Sequence, residues 1–128
     1  TSKNTYVGQN GDDIFRLDNL NQSLFSDFDF ITDFTVGRDV IDAPNLQPIT
    51  PTMITSQPAD LTNAAIGSLL NSSGSFIANA AVIFTSGGIN GKRIFLALND
   101  SVSGYSASTD AVIEITGYSG NLSQLQVI

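Results

Sequence analysis

Cysteine, histidine and tryptophan are absent from this 128-residue sequence, and glutamate occurs once, as Glu114. Without thiolate or imidazole there is no ligand set for a zinc ion of the usual kinds, no thiol nucleophile and no triad that needs a histidine base. The missing cysteines also exclude disulfides, so a place outside the cell would rest on core burial or on a bound metal. Basic residues are scarce: five Lys and Arg against twelve acids leave a net charge of −7 and an isoelectric point near 4.1. So few cations cannot build a basic footprint for nucleic acid or an anionic membrane, and cations are the more natural partners. No apolar run is long enough for a membrane span. The N-terminus lacks the order of a secretory signal, and the sequence starts as if cut from something longer.

What is present is aspartate, and it is local. Eleven of the twelve acids are Asp, and eight of them (Asp12, Asp13, Asp18, Asp27, Asp29, Asp33, Asp39 and Asp42) fall in the first third. The densest stretch, DFDFITDFTVGRDVIDAPNL from Asp27 to Leu46, alternates carboxylates with Ile31, Phe34, Val40 and Ile41. Gly37 falls where a turn would separate two short strands, which puts the carboxylates at strand ends. Ionised carboxylates at this density repel one another unless a cation lies between them, and Ca²⁺ is the hard cation that accepts many oxygens in flexible geometry. Aspartate is also simply a good turn residue, because its side chain bonds its own backbone two residues on, so spacing alone leaves both readings open.

The length fits one domain over residues 1–128, and its pattern fits a mainly β fold, a sandwich or roll with one short helix. Residues 14–17 read as a strand after the Gly-Asn-Asp turn cluster of YVGQNGDDIFRL. Pro44, Pro48, Pro51 and Pro58 mark residues 45–57 as a surface loop. In ADLTNAAIGSLLN the spacing of Leu61, Ala65, Ile66, Leu69 and Leu70 predicts a helix over 59–71, with Asp60 near its start. Residues 80–85 and 93–98 read as antiparallel core strands joined at Asn90-Gly91, and 111–116 as another strand. The arrangement expected from these runs is mostly antiparallel. The GGINGK sequence lacks the spacing of a phosphate loop. Asp100 and Asp110 read as loop and strand-start residues, with a second cation site as the alternative.

Gly8 to Arg16, GQNGDDIFR, resembles the nonapeptide GGxGxDxUx of calcium-binding repeats-in-toxin (RTX) proteins, with Gln9 in place of the second glycine. The resemblance implies Gly11 as a turn glycine, Asp13 as the ligand aspartate and Phe15 as the buried position. A solitary copy suggests the last rung of a β-roll whose earlier rungs lie upstream or have been lost. Glycine at position 9 would permit a positive φ that glutamine adopts only at a cost. The next segment resembles the DxIxDFxxGxDxID pattern that follows such repeats, and Asp29, Ile31, Asp33, Phe34, Gly37, Asp39, Ile41 and Asp42 fill every named position. The whole order, ending in IFLALND and DAVIEITGYSGNL, resembles the bluetail domain, a C-terminal module of cyanobacterial surface proteins. More distantly it is similar to the C-terminal regions of serralysin-type secreted proteases and the R-modules of alginate epimerases.

These resemblances imply a non-catalytic, calcium-stabilised C-terminal module of a secreted or cell-surface RTX-like protein, with residues 1–46 as the RTX-like rung and the DxIxDFxxGxDxID segment and 47–128 as helix plus antiparallel β part. Its roles would be folding, capping of the β-roll and export by type I secretion machinery. Ca²⁺ is expected among Gly11, Asp13, Asp29, Asp33, Gly37, Asp39 and Asp42, with Asp13, Asp33 and Asp39 foremost and backbone carbonyls near the two glycines completing the shell. Leu122 to Ile128 are expected to serve export while adding little to the fold. The alternative is an adhesion module that binds a cell-surface polysaccharide through Tyr105 and Tyr118. A hydrolase with a carboxylate pair is the weakest reading, because the aspartates match a calcium motif better than a cleft pair.

Overall fold

In the computed structural model, which describes residues 3–44, 49–87 and 92–128, nine regular elements follow the chain. They are β1 (Thr5–Tyr6), β2 (Ile14–Arg16), β3 (Asp29–Ile31), β4 (Val40–Asp42), β5 (Thr52–Met53), α1 (Asn63–Ser73), β6 (Ala81–Ser86), β7 (Arg93–Leu98) and β8 (Ala111–Glu114), with short 3-10 turns between some of them. The apolar runs of β6 and β7 are nearly unbroken because both faces of their sheet are covered. Ile83, Leu96 and Leu98 point to one core, and Val82, Phe84 and Phe95 to the other. A strand with two dry faces loses the apolar-polar alternation that marks a half-exposed one.

The main sheet has the order β1-β3-β8-β7-β6-β5, and a second, two-stranded sheet pairs β2 with β4. The first core lies between the two sheets and includes the fully buried Phe34, Ile41, Ile115, Leu125 and Val127. The second lies on the other face, where Ile66, Leu69 and Leu70 of α1 meet Phe28, Phe84 and Phe95. The helix begins four residues later than the expected start at 59, and Thr62, not Asp60, is the N-cap, its Oγ1 accepting the Ala65 N–H at 3.1 Å. It ends at Gly74, whose φ of 72° suits a left-handed C-cap.

Three segments of the chain repeat one shape. Each runs along the main sheet, turns, and returns along the small sheet, and the three stack in parallel. Tyr6 pairs with Ile31 and Phe30 with Glu114 in the first layer, and Phe15 pairs with Ile41 and Ile41 with Val127 in the second. At the turn side, Thr35 bridges Ser119. The RTX-like stretch is therefore the outer member of a three-rung roll, with rung one at 4–16, rung two at 29–42 and rung three at 113–127. The excursion from residue 49 to 110 is inserted between the second and third.

Two expectations need correction. Of the six ladders among the described residues four are parallel, β1 with β3, β3 with β8, β2 with β4 and β5 with β6; only β6 with β7 and β7 with β8 are antiparallel. Rung stacking produces parallel pairs that short strand runs do not announce. The C-terminal residues are also part of the fold: Leu122, Leu125 and Val127 are buried in the first core, and Ile128 N–H donates to the Ile41 carbonyl at 2.7 Å. The loop expected over 45–57 contains β5 and the Ile49 bridge to Val127, which is antiparallel. Pro48, residues 45–47 and the Asn90-Gly91 turn lie outside the described residues.

Candidate metal centre and rung junction

The aspartates of rung two face rung one, and their oxygens meet its donors. Asp33 Oδ1 accepts the Gly8 N–H at 2.8 Å and its Oδ2 the Gln9 N–H at 2.6 Å. These two bonds hold the Asp33 carboxyl below the ordinary aspartate range. Asp39, buried with 2% exposure, accepts the Asp13 N–H at 3.0 Å on Oδ1 and the Thr35 N–H at 2.8 Å on Oδ2. Asp29 Oδ1 takes the Asn4 N–H at 2.9 Å. Burial pushes the Asp29 carboxyl up, more strongly than the Asn4 bond draws it down. At the outer edge, Asp42 pairs with Arg16 at 3.0 Å and Arg38 with Asp12 at 3.2 Å, a reciprocal pair of ion pairs across the same junction.

Gln9 stands in a left-handed conformation, φ 62°, the glycine-like geometry that the motif asks of its position. For a residue with a Cβ this costs about 1–2 kcal/mol. The cost is offset because the left-handed turn aims two successive N–H groups at one carboxylate, an anion-binding nest occupied by Asp33. Gly11 and Gly37 have φ of 104° and 93° in the two turns.

Asp13 differs from the others. Its Oδ2 is buried and has no hydrogen-bond partner. The carboxylate packs directly on Gly8, where an added Cβ would lie 2.5 Å from Oδ2 and 3.1 Å from the Phe15 ring. An unpaired carboxylate oxygen inside a glycine turn is the kind of ligand a hard cation takes, one of the about six to eight oxygens that Ca²⁺ needs. Among the described residues no group of three or more acidic side chains lies close enough together to hold an ion. The expected ligands thus share one junction, but Asp29, Asp33, Asp39 and Asp42 each meet a donor from rung one.

A family model described as Peptidase M10 serralysin C terminal matches residues 2–119. The chain belongs to the serralysin C-terminal family. No curated protein matches it. The serralysin C-terminal match covers all of the first two rungs and the excursion, and supports the RTX-related half of the resemblance; the bluetail likeness rests on the order of sequence motifs alone. In this serralysin-type module the third rung carries no acid at its turn. By the register that pairs Ile41 with Val127, Asp39 lies beside Leu125, which is fully buried.

Other polar groups build the frame. Ser23 Oγ donates to the Val112 carbonyl at 2.6 Å and accepts the Asp29 N–H at 2.9 Å, so one hydroxyl ties β3 to β8. Glu114, 3% exposed, accepts Arg93 Nη2 at 2.7 Å and Nε at 3.0 Å, and Thr116 Oγ1 at 2.7 Å. Burial opposes its charge, but the Arg93 and Thr116 bonds prevail and its carboxyl lies below the ordinary glutamate range. The Arg93 guanidinium also lies 5.1 Å from the Phe95 ring centre. Asp110 closes its loop by accepting Asp100 N–H at 3.1 Å and Ser106 N–H at 2.6 Å. Both named tyrosines are engaged: Tyr105 OH donates to Asn63 Oδ1 at 2.6 Å, and Tyr118 packs half-buried on the first core. The signal for rung three was present in the sequence as the Gly117 and Gly120 pair, spaced like Gly8 and Gly11. An added Cβ at Gly120 would lie 2.9 Å from the Val36 carbonyl oxygen.

Proposed function

We propose that this chain is a non-catalytic module that ends a parallel β-roll in a secreted or cell-surface protein and takes Ca²⁺ at its first turn. The observation that carries the reading is the asymmetry of the roll. On the rung-three side growth is blocked, because β7 runs antiparallel to β8 and Ile49 antiparallel to Val127. On the rung-one side β1 and β2 are edge strands, and Tyr6, Val7 and Ile14 are exposed by 43%, 60% and 63%. Open parallel edges with apolar side chains favour association unless another strand covers them. A preceding rung of the same shape would do so, which makes the module a terminator with one adhesive end.

Ca²⁺ supplies positive charge and a demand for many oxygens; Asp13 would meet it with the unpaired Oδ2, and carbonyls of the turn around Gly11 would add to the shell. An extracellular module works with a dissociation constant on the order of 0.1–1 mM. Export by type I machinery and the closer bluetail kinship belong to the same reading. The polysaccharide alternative has less to rest on, since Tyr105 and Tyr118 are spent on internal contacts.

The reading is tested in two arms. In a calcium titration followed by amide NMR, shifts should cluster at Gly8 to Asp13, and Asp13→Asn should remove them; an unchanged spectrum at saturating calcium refutes the site. Fused after a set of GGxGxDxUx repeats, the module should keep the repeats soluble and monomeric, whereas aggregation equal to that of the bare repeats refutes the capping role.

A further inference from the structure

We propose that the junction between the first and second rungs is closed by carboxylate-to-amide clasps in place of cations, so that it forms and persists without calcium. The proposal rests on the roll reading above only for the expectation that calcium belongs at such junctions. The geometry is that of the chain itself. At three points along the junction a rung-two aspartate accepts a rung-one backbone N–H: Asp29 from Asn4, Asp33 from Gly8 and Gln9, and Asp39 from Asp13. A calcium ion needs about six to eight oxygens converging on one point. Here the oxygens of Asp33 and Asp39 converge instead on N–H groups, whose positive hydrogens repel a cation. Each such bond is charge-assisted and stronger than a neutral one.

The clasps also set register. Asn4 with Asp29 and Gly8 with Asp33 are separated by 25 residues, and Asp13 with Asp39 by 26. The turn of rung two therefore holds one residue more than the turn above it, between Asp33 and Asp39. A slip of one residue would turn every strand side chain to the wrong face and break all three clasps together. Gln9 fits the same scheme. A left-handed residue at this point is what lets two neighbouring N–H groups share Asp33. Rung three offers no carboxylate at the Asp39 position, and among the described residues no rung pairs with the outer edge of rung one. Among the described residues the clasp occurs at one junction, which makes that junction a metal-free template for the open end.

The test is amide hydrogen exchange in the full 128-residue chain, with excess chelator and with saturating calcium. In excess chelator the Gly8, Gln9 and Asp13 amides should already exchange at least about a hundredfold more slowly than in an unstructured chain, as for a locally stable unit that needs no ligand, and calcium at the neighbouring turn adds to that protection. Exchange in chelator at the rate of an unstructured chain overturns the proposal. The Asp33→Asn variant supplies the second measurement: exchange at Gly8 and Gln9 should quicken by about tenfold while Val82 and Phe95 in the main sheet stay protected. Unchanged exchange at Gly8 and Gln9 in that variant likewise overturns it. The two readings fail separately. Absence of calcium binding at Asp13 sinks the metal site and leaves the clasp standing, whereas amides protected in calcium alone and open in chelator sink the clasp and leave the metal site standing.

Discussion

Asp13 and Asp39 stand at the same place in successive rungs, and Asp39 Oδ1 accepts the backbone N–H of Asp13 at 3.0 Å while Asp13 Oδ2 accepts nothing. Two carboxylates of one motif position therefore have opposite fates. The inner one is saturated by backbone donors, and the outer one is left with a buried lone pair.

Gly8→Ala probes the outer carboxylate without touching its charge. The new methyl would lie 2.5 Å from Asp13 Oδ2, so the carboxylate must leave its seat. A stability loss of about 1–3 kcal/mol is expected from overpacking. The rise in melting temperature on adding calcium should shrink or vanish; a calcium response equal to that of the parent chain would count against the Gly8–Asp13 turn as the site.

Arg93→Met removes the guanidinium from a buried glutamate. Breaking a buried pair by deleting one partner costs about 3–5 kcal/mol, and the lower end applies because the Arg93 side chain is 37% exposed. The loss should depend on pH with a definite sign. In the parent chain the Glu114 carboxyl is depressed below its ordinary 4.5, so its contribution is complete above that value and fades as pH falls through the folded pKa. Denaturant midpoints of parent and variant should converge on acidification below pH 4.5. A gap that stays constant to low pH would separate the loss from the ion pair.

Deleting residues 122–128 tests the role of the last rung. Leu125 and Val127 are fully exposed to the core and not at all to solvent, and loss of a single buried Leu to Ala already costs about 2–5 kcal/mol. The truncated chain should lose cooperative unfolding by circular dichroism. A shortened protein that melts as the parent does would restore these residues to a purely transport role.

Tyr105 gives a spectroscopic marker for the loop over α1. Burial, with the Asp110 charge adding to it, pushes its phenol from 10.0 up to about 12. Because the raised group favours the folded state only while protonated, stability should fall between pH 10 and about 12. In an alkaline absorbance titration Tyr105→Phe should remove a late-titrating component. If the variant loses an ordinary phenol step near pH 10, the loop is open in solution.

The sequence made the individual strands legible and hid how they meet. β6, β7 and β8 carry apolar, β-prone runs that propensity and turn signals locate within a residue or two. Gly37 between two short strands was equally readable. What escaped was that those strands lie in different sheets, since a rung corner and a hairpin turn use the same glycine and aspartate vocabulary. The carboxylates were found by their spacing, but their donors are backbone N–H groups some 25 residues away, and every residue but proline has one. The Arg93–Glu114 pair escaped for a similar reason. A lone glutamate in an apolar strand says that a partner exists, and antiparallel pairing of β7 with β8 decides which.

The placement of rung two between its neighbours has a kinetic consequence. Phe30 is flanked by Thr5 on one side and Glu114 on the other, and Ile41 by Phe15 and Val127. The middle of the roll is thus built from an early part of the chain and covered by the latest part, with residues 49–110 looped out between them. Closing so long a loop precedes the contacts that reward it, and topologies of this kind fold slowly. A chain arriving from its N-terminus leaves one edge of Ile41 unpaired until Val127 is also present, so the middle rung is completed by the last part of the chain to arrive.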